Sequence, residues 1–242
     1  MTKFLNYCWR AWMVILGAVL TTLLGIPLLL LSIRKQDYPM AYRFIRLWCF
    51  GMFYGMGFRY ELRNVSGESI DPKRQYVFIA NHTSMMDVML PCILMPHHPL
   101  CYVGKKELVK IPIFGTIYKR VCVMVDRSSA RSRAEVYRRC AERMQEGQSV
   151  VIFPEGGVPD DTSILLDHFK DGAFILSSKH KVPIAVYTFI GLKNMFPFDH
   201  AKGHPGKVIV YFNAILEPQP KAEPMKEESY HMIKNTLDKY SS

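Results

Sequence analysis

The sequence predicts an α/β domain, a mixed and largely parallel sheet flanked by helices, carried on an N-terminal two-helix membrane anchor. Three observations predict it. The run Ala11–Ile33 contains no charged residue, and about 20 helical residues suffice to reach across a hydrocarbon core. From Tyr60 onward, short apolar runs alternate with helical patterns, the order expected of a parallel sheet with helices on its faces. Polar motifs follow directly on four of those runs, where open parallel sheets bind ligands.

Composition agrees. A chain of 242 residues fits one ordinary domain plus an accessory segment. With 49% hydrophobic and 21% charged residues, wholesale disorder is excluded. The mean hydropathy of +0.02 is high for a purely soluble chain and points to a concentrated apolar segment. The net charge of +10 asks for an anionic partner. A phosphate-bearing substrate, an acidic membrane, an acidic protein and nucleic acid all qualify on charge alone. The six cysteines form no C-x-x-C pair and mostly lie in apolar runs. They read as reduced, buried thiols in a chain facing the cytosol.

The anchor is assigned to residues 1–58. Lys3 and Arg10 precede or open the apolar run, and Arg34 and Lys35 follow it. The run is too long for a signal peptide and no A-x-A-like site follows, so it is expected to be retained. Gly25 and Pro27 predict a kink. Met40–Phe58 is apolar and aromatic but holds Arg43 and Arg46 on one helix face. Its Gly51 and Gly55 form a small-x-x-x-small pair that lets two helices approach closely. Positive charge at both ends of the first helix leaves spanning and re-entry both open.

The domain, residues 59–242, is then read in order. Gln75–Ala80 is a buried strand and Ser84–Met95 a helix interrupted near Pro91. Leu100–Val103 and Val121–Val125 are short strands. Ser128–Glu146 is an amphipathic helix, with Ser128 as N-cap and Gly147 as terminator. Ser149–Phe153 is a strand, Asp171–His180 a helix, Pro183–Phe189 and Lys207–Phe212 strands, and Met225–Lys239 a polar terminal helix.

The strand-end motifs carry the chemistry. Asn81-His82-Thr83-Ser84-Met85-Met86-Asp87 follows the first strand; Gly104-Lys105-Lys106, Asp126-Arg127 and Pro154-Glu155-Gly156-Gly157 follow the next three. Asp87, one or two turns into the helix, can fold back on the His82 imidazole and fix its tautomer, freeing the other nitrogen to accept a hydroxyl proton. Alone, His82 would read as a satisfied core histidine; convergence with the other motifs on one cleft favours a base. There is no G-x-S-x-G elbow, and Ser84 reads as a helix cap, so the substrate supplies the attacking hydroxyl. Lys105, Lys106 and Arg127 suit a phosphate, against the blander reading of a solvated basic face. Glu155 suits substrate hydroxyls, and the neighbouring glycine amides a developing oxyanion. His200 and His204 lie among Gly203, Pro205 and Gly206 and read as loop, so no metal site is expected. No P-loop or dinucleotide fingerprint calls for a cofactor, and no signature calls for nucleic acid.

At these residues the chain resembles the glycerolipid acyltransferase family, in particular its branch acting on 1-acylglycerol 3-phosphate. The likeness covers about Gln75–Ala214. Asn81-His82 through Asp87 is similar to the N-H-x4-D block, Val125-Asp126-Arg127 to the second block, Phe153-Pro154-Glu155-Gly156 to the third, and Val182-Pro183-Ile184 to the fourth. The resemblance implies His82 as base, Asp87 as its orienting partner, Arg127 on the acceptor phosphate and Glu155 on the acceptor. It implies a fatty acyl transfer from acyl carrier protein or coenzyme A thioester to the sn-2 hydroxyl of lysophosphatidate, giving phosphatidate at the cytoplasmic face of the cell inner membrane, among membrane lipid. The helix bearing Arg131, Arg133, Arg138 and Arg139 would dock the acidic carrier. Three departures stand out: Gly157-Val158 where the family continues Thr-Arg, Val121 or Cys122 for a glycine, and Ala185 for a proline. With that arginine missing, Lys105, Arg127 or Lys170 would take the phosphate. The alternatives are another lyso-lipid acceptor, such as an amino-acid lipid, and a non-catalytic, membrane-tethered binder of anionic lipid.

Overall fold

The computed structural model describes residues 2–240 apart from 112, 113, 127, 128, 160 and 162, with backbone alone at 105, 130 and 133. Helix α1 (Lys3–Leu31) continues through Pro27 and is strongly apolar and mostly exposed. By length and composition it is the one described helix apolar enough to cross a membrane. Trp12, Ile15, Val19, Leu23, Ile26 and Leu30 form an exposed stripe at three- and four-residue spacing.

The other face of α1 packs on α2 (Tyr38–Gly55). The glycine pair explains how closely: a Cβ on Gly51 would fall 2.8 Å from Leu20, and one on Gly55 2.6 Å from Leu16. Indole nitrogens staple the pair, with Trp9 donating to the Met56 carbonyl (3.1 Å) and Trp12 to that of Gly55 (2.9 Å). Yet α2 also belongs to the domain. Tyr42, Cys49, Met52 and Phe53 share a hydrophobic core with the sheet residues Phe78, Tyr187 and Phe189. The Tyr42 hydroxyl donates to the Met95 carbonyl at 3.0 Å, and the Arg46 guanidinium to that of Cys92 at 2.8 Å. The division at residue 58 is therefore one of composition, and packing runs across it.

Seven strands form the sheet: β1 (Arg59–Asn64), β2 (Val77–Ile79), β3 (Leu100–Lys105), β4 (Val123–Val125), β5 (Ser149–Val151), β6 (Ile184–Ile190) and β7 (Lys207–Leu216). Their spatial order is β1-β7-β6-β2-β5-β3-β4. Every pair is parallel except β6–β7, which is antiparallel with a bulge at Val186/Tyr187. The helices after α2 are α3 (Leu90–Leu94), α4 (Phe114–Val121), α5 (Ala130–Gln145), α6 (Gly172–His180), α7 (Leu192–Met195) and α8 (Ala222–Tyr240). Alternating side chains of β2 divide the core: Phe78 faces the α2 side, while Val77 and Ile79 face Phe174 of α6 and Met225 and Ile233 of α8.

Several boundaries differ from the sequence expectation. Val121 closes α4, an element the sequence reading lacks, and the strand begins at Val123. The N-cap of α5 is Ser129, whose Oγ accepts the Ser132 amide at 3.2 Å; Ser128 lies outside the described residues. The segment Ser84–Met95 is a 3-10 turn (Met85–Met89) followed by α3, with Pro91 in the first turn of α3, where a missing N–H costs nothing. Gly147, at φ +84°, does terminate α5. Cys49, Cys92, Cys101 and Cys140 are buried, and none of the six is bonded to another.

Candidate active site

The chain leaves β2 at Ile79 and is fixed at once. Asn81 is fully buried; its amide donates to the Phe189 carbonyl (2.9 Å) and accepts the Phe189 N–H (2.7 Å), tying the outgoing turn to the end of β6. Ser84 then caps the 3-10 turn, its Oγ accepting from the Met86 amide at 3.3 Å. The reciprocal half of the capping box brings Asp87 back over the turn. Asp87 Oδ2 accepts the Ser84 amide at 2.7 Å and the Thr83 amide as well. The same oxygen lies 3.1 Å from His82 Nδ1. An oxygen already accepting two N–H groups requires Nδ1 to be the donor, which leaves the Nε2 lone pair free. The Asp87 side chain is wholly buried, whereas that of His82 keeps 17% exposure. The imidazole is stacked on Phe153, ring centroids 4.4 Å apart and 23° from parallel.

Glu155 braces this turn from below. Its Oε1 accepts the His82 amide at 2.6 Å and its Oε2 the Asp167 amide at 2.9 Å, and the residue is 3% exposed. Burial pushes its carboxyl up to about 7, against the opposing pull of those two amides. Both oxygens thus hold backbone amides, which ties Glu155 into the base of the catalytic turn. The amide of Gly156 is also engaged, donating to the Phe153 carbonyl at 2.9 Å, so it is not directed at an oxyanion. What Gly156 supplies is shape. It sits at φ +77°, and a Cβ there would fall 2.5 Å from Lys170 Nζ.

His82, Gly156 and Lys170 line one end of a cleft of about 1950 Å³. Most of its remaining wall is apolar, with residues such as Val14 of α1, Trp48 of α2 and Ile117 of α4. Lys170 is exposed, and its backbone amide bonds the Pro154 carbonyl at 2.9 Å. Lys105 ends β3 opposite Val125. Lys106 is ion-paired with Asp126. Arg127 lies outside the described residues. On α5, Arg138 pairs with Glu135 and Glu142, and Arg139 with Glu135 at 3.2 Å, while the helix keeps five arginines against two glutamates. Among the described residues, no cluster of three or more His, Cys, Asp or Glu could hold a metal ion.

The sequence reading missed two cations of the cleft, Lys193 and Lys202, the latter ion-paired with Asp199 at 3.2 Å. Lys193 on α7 lines the cleft and donates to the Ile164 carbonyl at 2.7 Å. Its signal was present, because Gly191-Leu192-Lys193 leaves β6, parallel to β2, at the same sheet edge as His82.

Comparison with known proteins gives a consistent result. A family model described as Acyltransferase matches residues 62–189. A 1-acyl-sn-glycerol-3-phosphate acyltransferase of Helicobacter pylori is 27% identical over 140 residues, covering 55% of this chain and 57% of that one. The putative 1-acyl-sn-glycerol-3-phosphate acyltransferase acl-1 of Caenorhabditis elegans is 32% identical over 181 residues, 74% of this chain and 64% of its own. A lyso-ornithine lipid O-acyltransferase of Pseudomonas aeruginosa is 28% identical over 149 residues, 61% and 55% respectively. The chain spans about half the length of the curated relatives it matches. The crystal structure of the 1-acyl-sn-glycerophosphate acyltransferase PlsC from Thermotoga maritima superposes with a TM-score of 0.78 over 99% of this chain and 97% of that one, at 21% identity, which shows a shared fold.

Proposed function

This chain belongs to the acyltransferase family, and from that premise we propose that it transfers a fatty acyl group from a thioester to the sn-2 hydroxyl of 1-acyl-sn-glycerol 3-phosphate, forming phosphatidate. The observation that carries the reading is the His82–Asp87 pair at the polar end of a long apolar cleft. His82 Nε2 takes the proton of the acceptor hydroxyl as its oxygen attacks the thioester carbonyl. The C–O bond forms, the C–S bond breaks, and the imidazolium returns the proton to the leaving thiolate. Asp87 holds the tautomer and stabilises the imidazolium, and no covalent enzyme intermediate is needed. The acyl chain occupies the apolar part of the cleft. Lys170 and Lys193 face the head group, joined by Arg127 and Lys105 from the sequence pattern. Acyl carrier protein and acyl-coenzyme A both supply the required thioester.

The domain is held at a membrane, in this reading, by residues 1–58. Helix α1 is fastened to the domain near both ends: the Asn6 amide donates to the Ala201 carbonyl at 2.7 Å, and Arg120 to that of Leu29 at 2.8 Å. A helix of 29 residues, about 44 Å long, cannot cross a bilayer while lying along one domain. It therefore rests in a single leaflet, apolar stripe inward, with the catalytic domain at the cytoplasmic face of the inner membrane.

One observation favours a second acceptor. Val158 stands where the family carries an arginine, and a neutral or zwitterionic lyso-lipid needs fewer cations. Purified full-length protein, offered lysophosphatidate and a lyso-ornithine lipid in competition with each thioester donor and read by mass spectrometry, tests both readings. Phosphatidate is the expected product. Exclusive acylation of the ornithine lipid overturns the acceptor assignment, and no acylation of either overturns the function.

A further inference from the structure

Helix α1 carries two polar residues that its apolar character does not explain. Asn6 is 3% exposed and Arg10 is 8% exposed. Burying a guanidinium without a contacting carboxylate lowers stability, and an apolar side chain of similar volume would ordinarily be preferred there. Among the described residues Arg10 forms no ion pair with a carboxylate; Asp199 acts on it only at longer range. Its Nη2 donates to the carbonyls of Pro197 (2.5 Å) and Lys202 (3.2 Å), its guanidinium lies 3.6 Å over the Phe196 ring, and its Nε has no hydrogen-bond partner.

The loop so gripped is the one that reaches the catalytic turn. The Phe196 carbonyl accepts the Ser84 hydroxyl at 2.9 Å, both residues being buried. Ser84 in turn gives its amide to Asp87 Oδ2, the oxygen that holds His82. The loop is pressed onto α1 elsewhere as well. Gly203, at φ +121°, sits where a Cβ would fall 3.2 Å from the Trp9 ring, and Trp9 meets Phe196 edge-on at 5.3 Å. One guanidinium nitrogen bonded to two carbonyls of the loop, with the guanidinium plane over the Phe196 ring, fixes the loop's geometry more tightly than apolar packing does.

We propose that Arg10 is a positioning residue for the His82–Asp87 pair, acting from the membrane helix through Phe196 and Ser84. The catalytic base is then aligned only while the N-terminal part of α1 is docked on this loop. The coupling rests on the acyltransferase reading for its rate effect but not for its geometry.

The test uses the full chain on vesicles of phosphatidylethanolamine and phosphatidylglycerol containing lysophosphatidate. Arg10→Ala lowers kcat about tenfold, leaving KM and vesicle binding unchanged. Arg10→Lys, which can still donate to both carbonyls, recovers a large part of the loss. Arg10→Met fills the same volume and carries the test if the alanine variant does not fold. Ser84→Ala gives a comparable loss, and the Arg10→Ala/Ser84→Ala double variant is no worse than the more severe single one, because both cut the same chain of contacts. A readout independent of turnover is the low-field proton of His82 Nδ1 in detergent micelles, assigned by its disappearance in Asp87→Asn. It exchanges faster in Arg10→Ala. An unchanged resonance, or losses that multiply in the double variant, overturns the proposal. A wild-type protein that shows the resonance but transfers no acyl group overturns the proposed function instead.

Discussion

His82 enters the cleft with its proton already assigned, because Asp87 Oδ2 is committed as an acceptor to two backbone amides before it meets the imidazole. His82→Ala should therefore cost about 10²–10⁴-fold in kcat, the usual worth of a general base, with folding unchanged by circular dichroism; near-normal turnover in the folded variant would sink the mechanism. Asp87→Asn should lose most of the activity too, since the imidazole loses its charged orienting partner. Glu155 makes a separate, pH-dependent prediction. Its carboxyl stands at about 7 against 4.5 for the free group, with burial as the cause. A raised folded value means that the folded chain holds the proton more tightly. The resulting stability is full below about pH 4.5 and is lost as pH rises through about 7. Thermal unfolding of the wild type minus that of Glu155→Gln should show this slope, of up to about 3 kcal/mol. A difference that does not vary between pH 4.5 and 7.5 refutes it. The dyad was legible in the sequence because its two residues are five apart at a strand end. The bracing role of Glu155 was not, because its partner is the His82 amide, 73 residues away, and backbone groups leave no trace in side-chain pattern.

The secondary-structure elements divide by whether one face is apolar. Strands β2, β5 and β6 are buried on both faces and read as continuous apolar runs. Strand β1 (Arg59–Asn64) is a polar edge strand with no such run, and it was missed. The antiparallel turn-back of β7 was also missed. Its cause lies in the connection: the segment 191–206 between β6 and β7 holds only the four-residue helix α7, too short to lie across the sheet as the crossover helix of a parallel return does. The α1–α2 contact was the opposite case, since Gly51 and Gly55 announce it four residues apart. Gly55→Leu should force the helices apart, because even a Cβ falls 2.6 Å from Leu16. The expected loss is about 1–3 kcal/mol, read as a lower unfolding midpoint in detergent. An unshifted midpoint would mean that the two helices do not pack in this way in solution.

At the scale of the molecule, the fold makes one arrangement out of a soluble-looking sheet and an apolar helix. Because α2 is shared between the sheet's core and α1, the domain is held against a helix whose outer stripe is largely exposed. Two forces could bring such a body to a membrane, the charge of +10 and the apolar stripe, and salt separates them. Exposed charge is screened as the Debye length falls from about 10 Å at 0.1 M to about 3 Å at 1 M, whereas apolar insertion persists. The full chain should stay on anionic vesicles at about 0.5 M salt, which is within that screened range. Leu23 and Ile26 are 68% and 69% exposed, so Leu23→Asp/Ile26→Asp removes little internal packing. Each aspartate placed at hydrocarbon depth costs about 2.5–3.5 kcal/mol. The double variant should therefore bind at low salt through the remaining basic surface and release at about 0.5 M, while keeping the unfolding midpoint of the wild type. A double variant that cosediments with vesicles at high salt as fully as the wild type would place the membrane contact elsewhere on the molecule. It would also remove the premise that α1 delivers the cleft to an acceptor embedded in the bilayer.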